Sequence, residues 1–275
     1  MRVERIEDPE DPRVADYRDV KDALLRSRRG LFIAEGRTVV ARLLEGSRFR
    51  ARSVLVTPRA LEDLRALLEG VEPGLAVYVA PAPVLRDVTG FTFHRGCLAL
   101  GERGAEPGPD ELIAPPGPRL LLALEELADP DNVGAVFRSA MAFGVDAVLL
   151  SPGCANPLYR KAIRVSMGGT LRVPFARLVD WPAGLGRLGE AGYALVALTP
   201  RGAVDIADLG TAQPVPQRLA LLLGAEGRGI SAGALAGAEL EVRIAMAPDV
   251  DSLNVSAAAA IALHRLRPAG LTLPR

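Results

Sequence analysis

Short apolar segments of two kinds alternate along the first hundred residues. Runs of four or five apolar residues predict strands, whereas apolar residues at every third or fourth position predict helices. The predicted strands are residues 31–34, 53–57, 76–80 and 97–100. The predicted helices are residues 11–28, 37–44, 58–68 and 83–88. This alternation of strands and helices predicts a small α/β sandwich.

The second half of the chain has longer and more continuous apolar runs. Strands of this kind are typical of parallel sheets that are covered on both faces. The predicted strands are residues 119–124, 146–150, 193–198, 218–223 and 239–246. Helices are predicted from near Asn132 to Phe143, over residues 157–166, and after Ser252. The pattern therefore predicts a second α/β domain with a parallel sheet.

Proline and glycine interrupt the pattern between residues 101 and 118. A segment so rich in proline and glycine is typical of a semi-rigid linker and marks a domain boundary. We therefore predict a first domain over residues 1–105, a linker over residues 106–118 and a second domain over residues 119–275.

The composition is that of an ordinary globular protein, with 49% hydrophobic and 24% charged residues among 275. No apolar run is long enough to cross a bilayer, and the first residues lack the apolar core of a signal peptide. Cys97 and Cys154 fall in different predicted domains without the spacing of metal ligands. We expect a reduced, cytoplasmic protein without a bound metal or a membrane partner.

The formal net charge is zero, so charge alone neither supports nor excludes a nucleic-acid partner. Nearly all the positive charge is arginine, which suits bidentate phosphate contacts. Two clusters stand out, namely Arg26, Arg28 and Arg29, and Arg48, Arg50 and Arg52. These clusters form either solvated faces or a surface that contacts phosphates.

A polar turn follows the predicted strand over residues 119–124 and leads into the helix that begins near Asn132. Ligands of open α/β sheets bind at such carboxyl ends of strands. Arg138 falls within the first two turns of this predicted helix, in reach of a ligand in the crevice. A single arginine on a helix is otherwise a surface charge.

A glycine loop follows the predicted strand over residues 218–223, with the sequence Gly-Ala-Glu-Gly-Arg-Gly from Gly224 to Gly229. It matches neither a P-loop nor the dinucleotide-binding fingerprint. Its glycines would let a ligand approach the backbone closely. Glu226 in this loop either holds the loop through backbone amides or contacts a ligand.

The last polar segment, residues 246–256, carries Ser252 and Asn254 ahead of an alanine-rich helix. Ser252 is a plausible N-cap of that helix. Small hydrogen-bonding side chains at a helix N-terminus form a polar binding site. The alternative is a capped last helix that only packs on the sheet.

Three segments together resemble the motifs of the SpoU (TrmH-like) branch of the SPOUT RNA methyltransferases. They are residues 132–140 (NVGAVFRSA), residues 223–229 (LGAEGRG), and residues 244–246 (IAM) with 252–256 (SLNVS). The resemblance spans most of residues 120–267. Residues 31–36 (LFIAEG) are in turn similar to the ribosomal-protein-like RNA-binding domain that often precedes this catalytic domain.

The resemblance implies a SPOUT domain with a deep trefoil knot and S-adenosylmethionine bound inside the knot. The family's cofactor positions fall on Gly224, Ile244 and Leu253, with Thr199, Met246 and Ser252 as neighbours. The resemblance also implies a homodimer with its active site at the subunit interface, to which the final helix is a candidate contributor.

The implied reaction is methyl transfer from S-adenosylmethionine to a ribose 2′-oxygen of RNA. Arg138 matches the family's catalytic arginine, and a guanidinium that stays protonated suits a phosphate clamp better than a base. Asn132 would orient the ribose or the arginine, and Ser252 and Asn254 would complete the hydrogen bonding. Glu226 is also a candidate catalytic residue, but a role in holding its loop is favoured over a role as the base.

His94 and His264 match no motif and receive no catalytic role. The family usually has proline after the isoleucine of the third motif, where this chain has Ala245. Ribosomal RNA is favoured as substrate over tRNA because of the N-terminal domain, and DNA is excluded because it lacks the 2′-hydroxyl. The alternatives are a tRNA 2′-O-methyltransferase and a non-catalytic RNA-binding or ribosome-assembly protein of the same fold.

Overall fold

The computed structural model describes residues 2–18, 29–71, 74–90, 96–116, 119–210 and 214–266. Arg26, Arg28 and His94 lie outside these residues, as does most of the helix predicted over residues 11–28. The described start of that helix is a 3-10 helix over Pro12–Tyr17, which Asp11 caps through its side chain.

The chain forms two compact units. The first consists of Met1–Ala105 together with Leu158–Arg172, and the second consists of Glu106–Pro157 together with Val173–Arg275. Residues 158–172 thus pack with the first unit, although the sequence pattern groups them with the C-terminal domain.

A five-stranded mixed sheet with the order β1-β4-β3-β5-β2 forms the centre of the first unit. Its strands are β1 (Arg2–Arg5), β2 (Leu31–Glu35), β3 (Arg50–Val56), β4 (Ala76–Val79) and β5 (Cys97–Glu102). The strand β5 runs antiparallel to both of its neighbours, and the other pairs are parallel. The edge strand β1 was not predicted, because Arg2–Arg5 has three charged residues and no apolar run.

Helices α1 (Arg37–Leu44), α2 (Pro58–Glu69) and α3 (Ala82–Thr89) follow strands of this sheet, close to the predicted bounds. The helix α2 begins with a proline, and Thr57 caps it by accepting a hydrogen bond from the Ala60 amide. Each helix buries its apolar stripe, such as Val39, Val40 and Leu43 of α1.

Residues 158–172 add a short helix and a 3-10 turn to the first unit. We number helices in chain order, so that α4 is Pro109–Ile113 and α5 is Pro130–Ala142, both in the second unit, and the short helix is α6, Arg160–Val165. The prediction of a helix over residues 157–166 was therefore too long at its start. The Arg164 guanidinium lies 3.6 Å from the buried Glu35 carboxylate. Ser47 Oγ donates to the Leu171 carbonyl, and Arg42 donates to that of Met167.

Gly101 in β5 allows the Phe32 ring of β2 to lie against the backbone. A Cβ at this position would lie 2.1 Å from the ring. We expect Gly101→Ala to destabilise the first unit by about 1–3 kcal/mol, because the buried ring cannot move without disturbing its neighbours. Thermal unfolding measures the effect. Gly70→Ala is the matched control, since its Cβ would meet nothing nearer than 3.6 Å, and equal unfolding temperatures for both variants would contradict the expectation.

The second unit contains a seven-stranded sheet with the order β10-β12-β9-β11-β6-β7-β8, and all its pairs are parallel. Its strands are β6 (Arg119–Glu125), β7 (Ala147–Leu150), β8 (Phe175–Arg177), β9 (Ala194–Leu198), β10 (Val204–Asp205), β11 (Arg218–Gly224) and β12 (Leu240–Arg243). The prediction of a parallel sheet with continuous apolar strands is confirmed, since Leu120 to Leu124 of β6 are completely buried. The short edge strands β8 and β10 were not predicted.

The remaining helices of this unit are α7 (Gly186–Glu190), α8 (Ala232–Leu235) and α9 (Val255–Arg265). The helix α5 begins at Pro130 rather than near Asn132, because Asp129 is its N-cap and accepts from the Asp131 amide. The helices α5 and α9 pack against each other. Among the described helices, none is long and apolar enough to cross a membrane.

The segment predicted as a linker is docked on the second unit over the part that is described. It contains helix α4, whose Ile113 side chain is only 4% exposed. Arg218 donates to the carbonyls of Pro115 and Ile113, and Tyr193 Oη donates to that of Ile113. The prediction that proline and glycine prevent any regular element here was therefore wrong, because Pro109 occupies the first turn of a helix, where proline is tolerated.

Candidate active site

The polar segments singled out in the sequence lie at one edge of the seven-stranded sheet. Because β12, β9, β11 and β6 are neighbouring parallel strands, their carboxyl ends lie side by side. Thr199 follows β9, Ile244 follows β12, and Gly224 ends β11. The predicted cofactor residues on three separate segments therefore share the edge at which α/β sheets bind ligands.

The last predicted strand is shorter than expected, and this leaves backbone groups available at that edge. The strand β12 ends at Arg243, so that Ile244 and Met246 lie in an irregular loop instead of a strand. Within the described part of the chain, the amides and carbonyls of Ile244, Met246, Ser252 and Leu253 make no hydrogen bonds. Ile244, Met246 and Leu253 are nevertheless partly buried. Unpaired backbone groups in partly buried residues fit a ligand that is recognised by the backbone.

Side chains from three motifs meet in one hydrogen-bonded chain. Asn254 Nδ2 donates to Glu226 Oε1 at 2.6 Å and to Asn132 Oδ1 at 3.1 Å. The Val255 amide also donates to Glu226 Oε1, at 3.3 Å. Glu226 therefore connects its loop to the N-terminus of α9, which is a wider role than holding its own loop.

This chain of contacts fixes the direction of both amides. An ionised carboxylate only accepts hydrogen bonds, so Asn254 must point its NH2 group toward Glu226. The same NH2 group then requires the oxygen of Asn132 as its other acceptor. The Nδ2 group of Asn132 has no partner within the described residues and remains available as a donor.

Asn254, not Ser252, is the N-cap of the last helix. Its Oδ1 accepts from the Ser256 amide at 2.9 Å and from Ser256 Oγ at 2.5 Å. Both the NH2 group and the oxygen of Asn254 are in use, whereas Ser252 lies in the preceding loop and makes no hydrogen bond within the described residues. The prediction failed because either residue is a good cap, and only the backbone conformation chooses between them.

Arg138 does not join this chain of contacts. Because α5 begins at Pro130, Arg138 is its ninth residue and lies in the third turn instead of the first two. It is about 9 Å along the helix axis and about 120° around it from Asn132. The side chain is exposed, and no hydrogen bond or ion pair to it occurs within the described ranges.

The glycines of the loop after β11 have an intramolecular explanation. A Cβ on Gly224 would lie 2.3 Å from the Gly229 backbone, and Gly229 in turn donates its amide to the Ala225 carbonyl. Gly227 and Gly229 have positive φ angles of 81° and 66°. The backbone of the loop thus requires these glycines whether or not a ligand approaches.

The sequence interpretation overlooked Glu126 as a residue that shapes this edge. Its backbone has a positive φ of 56°. Its Oε1 accepts from Ser151 Oγ and from the Gly153 amide, both at 3.1 Å, and so fixes the loop after β7. No local sequence pattern signalled this role, whereas in the structure a Cβ on Gly153 would lie 2.0 Å from the Glu126 carboxylate.

The two cysteines are buried and not bonded to each other. Burial raises the pKa of the Cys97 thiol to about 12 and also raises the pKa of the Cys154 thiol. Both thiols therefore stay protonated near neutral pH, and neither suits a nucleophile. His264 lies edge-on to the Phe143 ring at 5.8 Å between ring centroids, a packing role.

The part of the chain that forms the seven-stranded sheet and its loops matches a known family. The model of the SpoU rRNA methylase family matches residues 119–264, which include all three motifs. The chain belongs to the SpoU family. The resemblance inferred from the sequence is therefore confirmed, and so is the α/β fold with a parallel sheet.

Relatives match the whole chain and not only the family domain. A protein of Mycobacterium bovis, named an uncharacterized tRNA/rRNA methyltransferase, is 43% identical over 274 residues, covering 98% of this chain and 93% of the relative. A protein of Synechocystis with the same kind of name is 29% identical and covers 92% of this chain and 94% of the relative. The match thus extends through the N-terminal unit.

Solved structures of similar length have the same fold. One described as an RNA 2′-O ribose methyltransferase is 27% identical, with a TM-score of 0.75, covering 96% of this chain and 98% of its own. An rRNA methyltransferase from Sinorhizobium meliloti, solved with S-adenosylmethionine bound, is 23% identical with a TM-score of 0.80. It covers 98% of this chain and 99% of its own, and at this identity it shows the fold.

Proposed function

We propose that this SpoU-family protein transfers a methyl group from S-adenosylmethionine to a ribose 2′-oxygen of RNA, with ribosomal RNA as the favoured substrate. The observation that carries the proposal is the chain of contacts between Asn132, Glu226 and Asn254. Packing alone does not require an amide, a carboxylate and a second amide from three distant segments to meet at the carboxyl edge of a sheet.

The cofactor fits the edge described above. Thr199, Gly224 and Ile244 would surround it at the ends of three strands, with Met246, Ser252 and Leu253 from the last loop. The unpaired backbone groups of that loop suit an adenine and a ribose. When bound, the cofactor supplies an electrophilic methyl group on a sulfonium. We also propose that the chain around this site is knotted, as the family resemblance implies.

The protein's own part is to place the 2′-hydroxyl and to stabilise charge. The bound cofactor would supply the methyl group to the ribose oxygen, and the hydroxyl proton would leave to solvent. Asn132, with its free Nδ2 group, would donate to a ribose or phosphate oxygen. Arg138 would clamp a phosphate and stabilise negative charge on the reacting oxygen.

A homodimer would bring Arg138 of one subunit close to the hydrogen-bonded Asn132, Glu226 and Asn254 of the other. Arg138 lies on a different face of α5 from Asn132 and has no partner in the described chain, which fits a role in the site of a second subunit. A groove of about 620 Å³ also opens on α9. It is lined by Ile206, Ala207, Ala260, Ile261, His264 and Arg265. Because its apolar residues include Ile261, which is 43% exposed, it is a surface that a second copy would cover.

Substitution of Ile261 tests the homodimer. We expect Ile261→Glu to convert a dimer into a monomer, because a charge would have to be buried at the interface. Light scattering after size-exclusion chromatography gives the mass of each species. Ala236→Glu, on an exposed turn elsewhere in the second unit, should remain dimeric. A wild-type protein that is monomeric at micromolar concentration would refute the proposed dimer.

The exposed arginines of the first unit fit an RNA substrate, and the resemblance of residues 31–36 to a ribosomal-protein-like RNA-binding domain favours ribosomal RNA. Arg48 lies just before β3, and Arg50 and Arg52 are the first and third residues of this strand. Arg50 and Arg52 are exposed. Arg52 lies 3.6 Å from Asp16, so part of this cluster is balanced by acid. Because rRNA and tRNA are the candidate substrates, we also infer a cytoplasmic location.

The deciding experiment measures the transfer of labelled methyl groups to rRNA and, separately, to tRNA from a strain that lacks the gene. Label in an alkali-resistant dinucleotide establishes 2′-O-methylation, because the free hydroxyl is needed for alkaline cleavage. Label in rRNA supports the favoured class, and label only in tRNA supports the alternative. A thermal-shift assay comes first, since S-adenosylmethionine at 100 times its Kd adds about 2.7 kcal/mol of stability.

No label in either RNA pool, despite cofactor binding, would favour the second candidate, an RNA-binding or ribosome-assembly protein without turnover. No stabilisation by the cofactor would refute the proposed reaction itself. ATP and NAD serve as controls and should not stabilise the protein.

A further inference from the structure

Glu125, the last residue of β6, carries a buried carboxylate at the same edge of the sheet. The residue is 4% exposed, and no cation pairs with it within the described residues. Its acceptors are filled by neutral donors instead. Trp181 Nε1 donates to Oε1 at 2.8 Å, Ser231 Oγ donates to Oε1 at 2.6 Å, and the Ser231 amide donates to Oε2 at 2.9 Å. A buried carboxylate without a cation depends on such hydrogen bonds.

Glu125 is connected to both ends of the segment 224–231, which contains the glycine loop. At its start, Gly224 is the register partner of Glu125 in the β6–β11 pair. At its end, Ser231 is bound by the Glu125 carboxylate and also caps α8 by accepting from the Ala234 amide. The loop is closed internally by the hydrogen bond from the Gly229 amide to the Ala225 carbonyl, at 2.8 Å.

The residue presented by this closed loop is Glu226, which holds Asn254 and the amide of Val255. We propose that Glu125 is a positioning residue: by binding Ser231 and Trp181, it fixes the glycine loop so that Glu226 sets the Asn254–Asn132 amide chain. The inference rests on the proposed function for its kinetic consequences. Its structural part stands on the contacts of Glu125 alone.

Glu125→Gln tests the proposal with little change in volume. Glutamine has one acceptor oxygen and places an NH2 group where the carboxylate met donors, so the three contacts cannot all be kept. We expect kcat to fall at least about tenfold, as when a hydrogen bond to a charged group is lost. Trp181→Phe and Ser231→Ala each remove one side-chain donor to Glu125. Both should also lower kcat, but by a smaller factor than Glu125→Gln does. These two variants keep the test valid if Glu125→Gln does not fold.

Tyr193→Phe is the matched control. It also removes one buried donor of the second unit, the bond from Tyr193 Oη to the Ile113 carbonyl. Tyr193 precedes β9 and so lies at the amino edge of the parallel sheet, opposite the loop that follows β11. We expect kcat for Tyr193→Phe to stay within about twofold of wild type at comparable loss of stability. An equal loss of kcat in both variants would overturn the proposal, because it would show a general effect of destabilisation.

A double-mutant cycle with Glu226→Gln separates positioning from packing. If Glu125 acts through Glu226, the effect of Glu125→Gln on kcat should nearly vanish when Glu226 is already changed. Additive effects of the two substitutions would overturn the proposal.

A readout without cofactor or RNA keeps this test apart from the proposed function. Hydrogen exchange of the Gly229 and Val255 amides should rise at least about tenfold in Glu125→Gln and should not change in Tyr193→Phe. Trp181 is the only tryptophan of the chain, so a shift of its emission in Glu125→Gln reports the lost indole contact. Unchanged exchange at both amides would overturn the proposal even if the enzyme is active. If the wild type neither binds S-adenosylmethionine nor methylates RNA, the proposed function fails, whereas the exchange result still decides the role of Glu125.

Discussion

Arg138→Ala is expected to lower kcat for RNA methylation by about 10²–10³-fold, the loss typical of removing one donor that stabilises transition-state charge. The unfolding temperature should not change, because the side chain is exposed and has no partner among the described residues. Single-turnover methyl transfer and thermal unfolding of the same preparation measure both quantities. Arg138→Lys keeps the charge but loses the bidentate geometry, so we expect an intermediate rate. Methylation by Arg138→Ala at the wild-type rate would refute the role assigned to this arginine.

Mixing two impaired variants tests whether Arg138 acts across a subunit interface. In a heterodimer of Arg138→Ala with Glu226→Gln, one site would have both residues intact if the arginine comes from the partner. Random reassembly should then restore about a quarter of wild-type activity, from half of the dimers with one working site each. If both residues act within one chain, every site keeps a defect and mixing restores nothing.

Glu226→Gln is expected to lower kcat by about 10–100-fold, the equivalent of one hydrogen bond to a charged group. The physical reason is the direction of the amides. A glutamine can donate as well as accept, so it no longer forces Asn254 to present its NH2 group or Asn132 to keep its own NH2 group free. The Kd for S-adenosylmethionine from calorimetry and kcat from methyl transfer show which step is affected.

The matched control for this prediction is Glu241→Gln, an exposed carboxylate on β12 that makes no side-chain hydrogen bond or ion pair within the described residues. It should behave as the wild type does. An unchanged kcat in Glu226→Gln would contradict the proposed amide chain, since the carboxylate would then not set the orientation of its neighbours.

The strands could be predicted where the local pattern is strong. Continuous apolar runs at residues 119–124 and 218–223 gave the neighbouring strands β6 and β11, because a strand buried on both faces needs apolar residues at every position. Short edge strands such as Phe175–Arg177 have too few residues to carry a pattern. The predicted spans of α6 and β12 were too long, because apolar residues continue beyond the last backbone hydrogen bonds of the helix and of the strand.

The candidate site was predictable as a set of residues but not as an arrangement. Asn132, Glu226 and Asn254 were all identified from their motifs, and the structure joins them by hydrogen bonds. Their individual roles depended on geometry. Asn254 replaces Ser252 as the N-cap. Arg138 lies apart because it is six positions after Asn132 in the helix, which places the two side chains about 120° apart around α5.

The sequence by itself determined the family, the parallel α/β class and the polar residues at the carboxyl edge, because motifs and apolar runs are local features of the chain. Tertiary structure alone decided that residues 106–116 are docked on the second unit, and that residues 158–172 complete the first. It also decided that the Glu125 carboxylate holds Ser231, which is 106 positions away. These outcomes depend on contacts between segments far apart in the chain, and no local pattern encodes which distant donor will meet a buried acceptor.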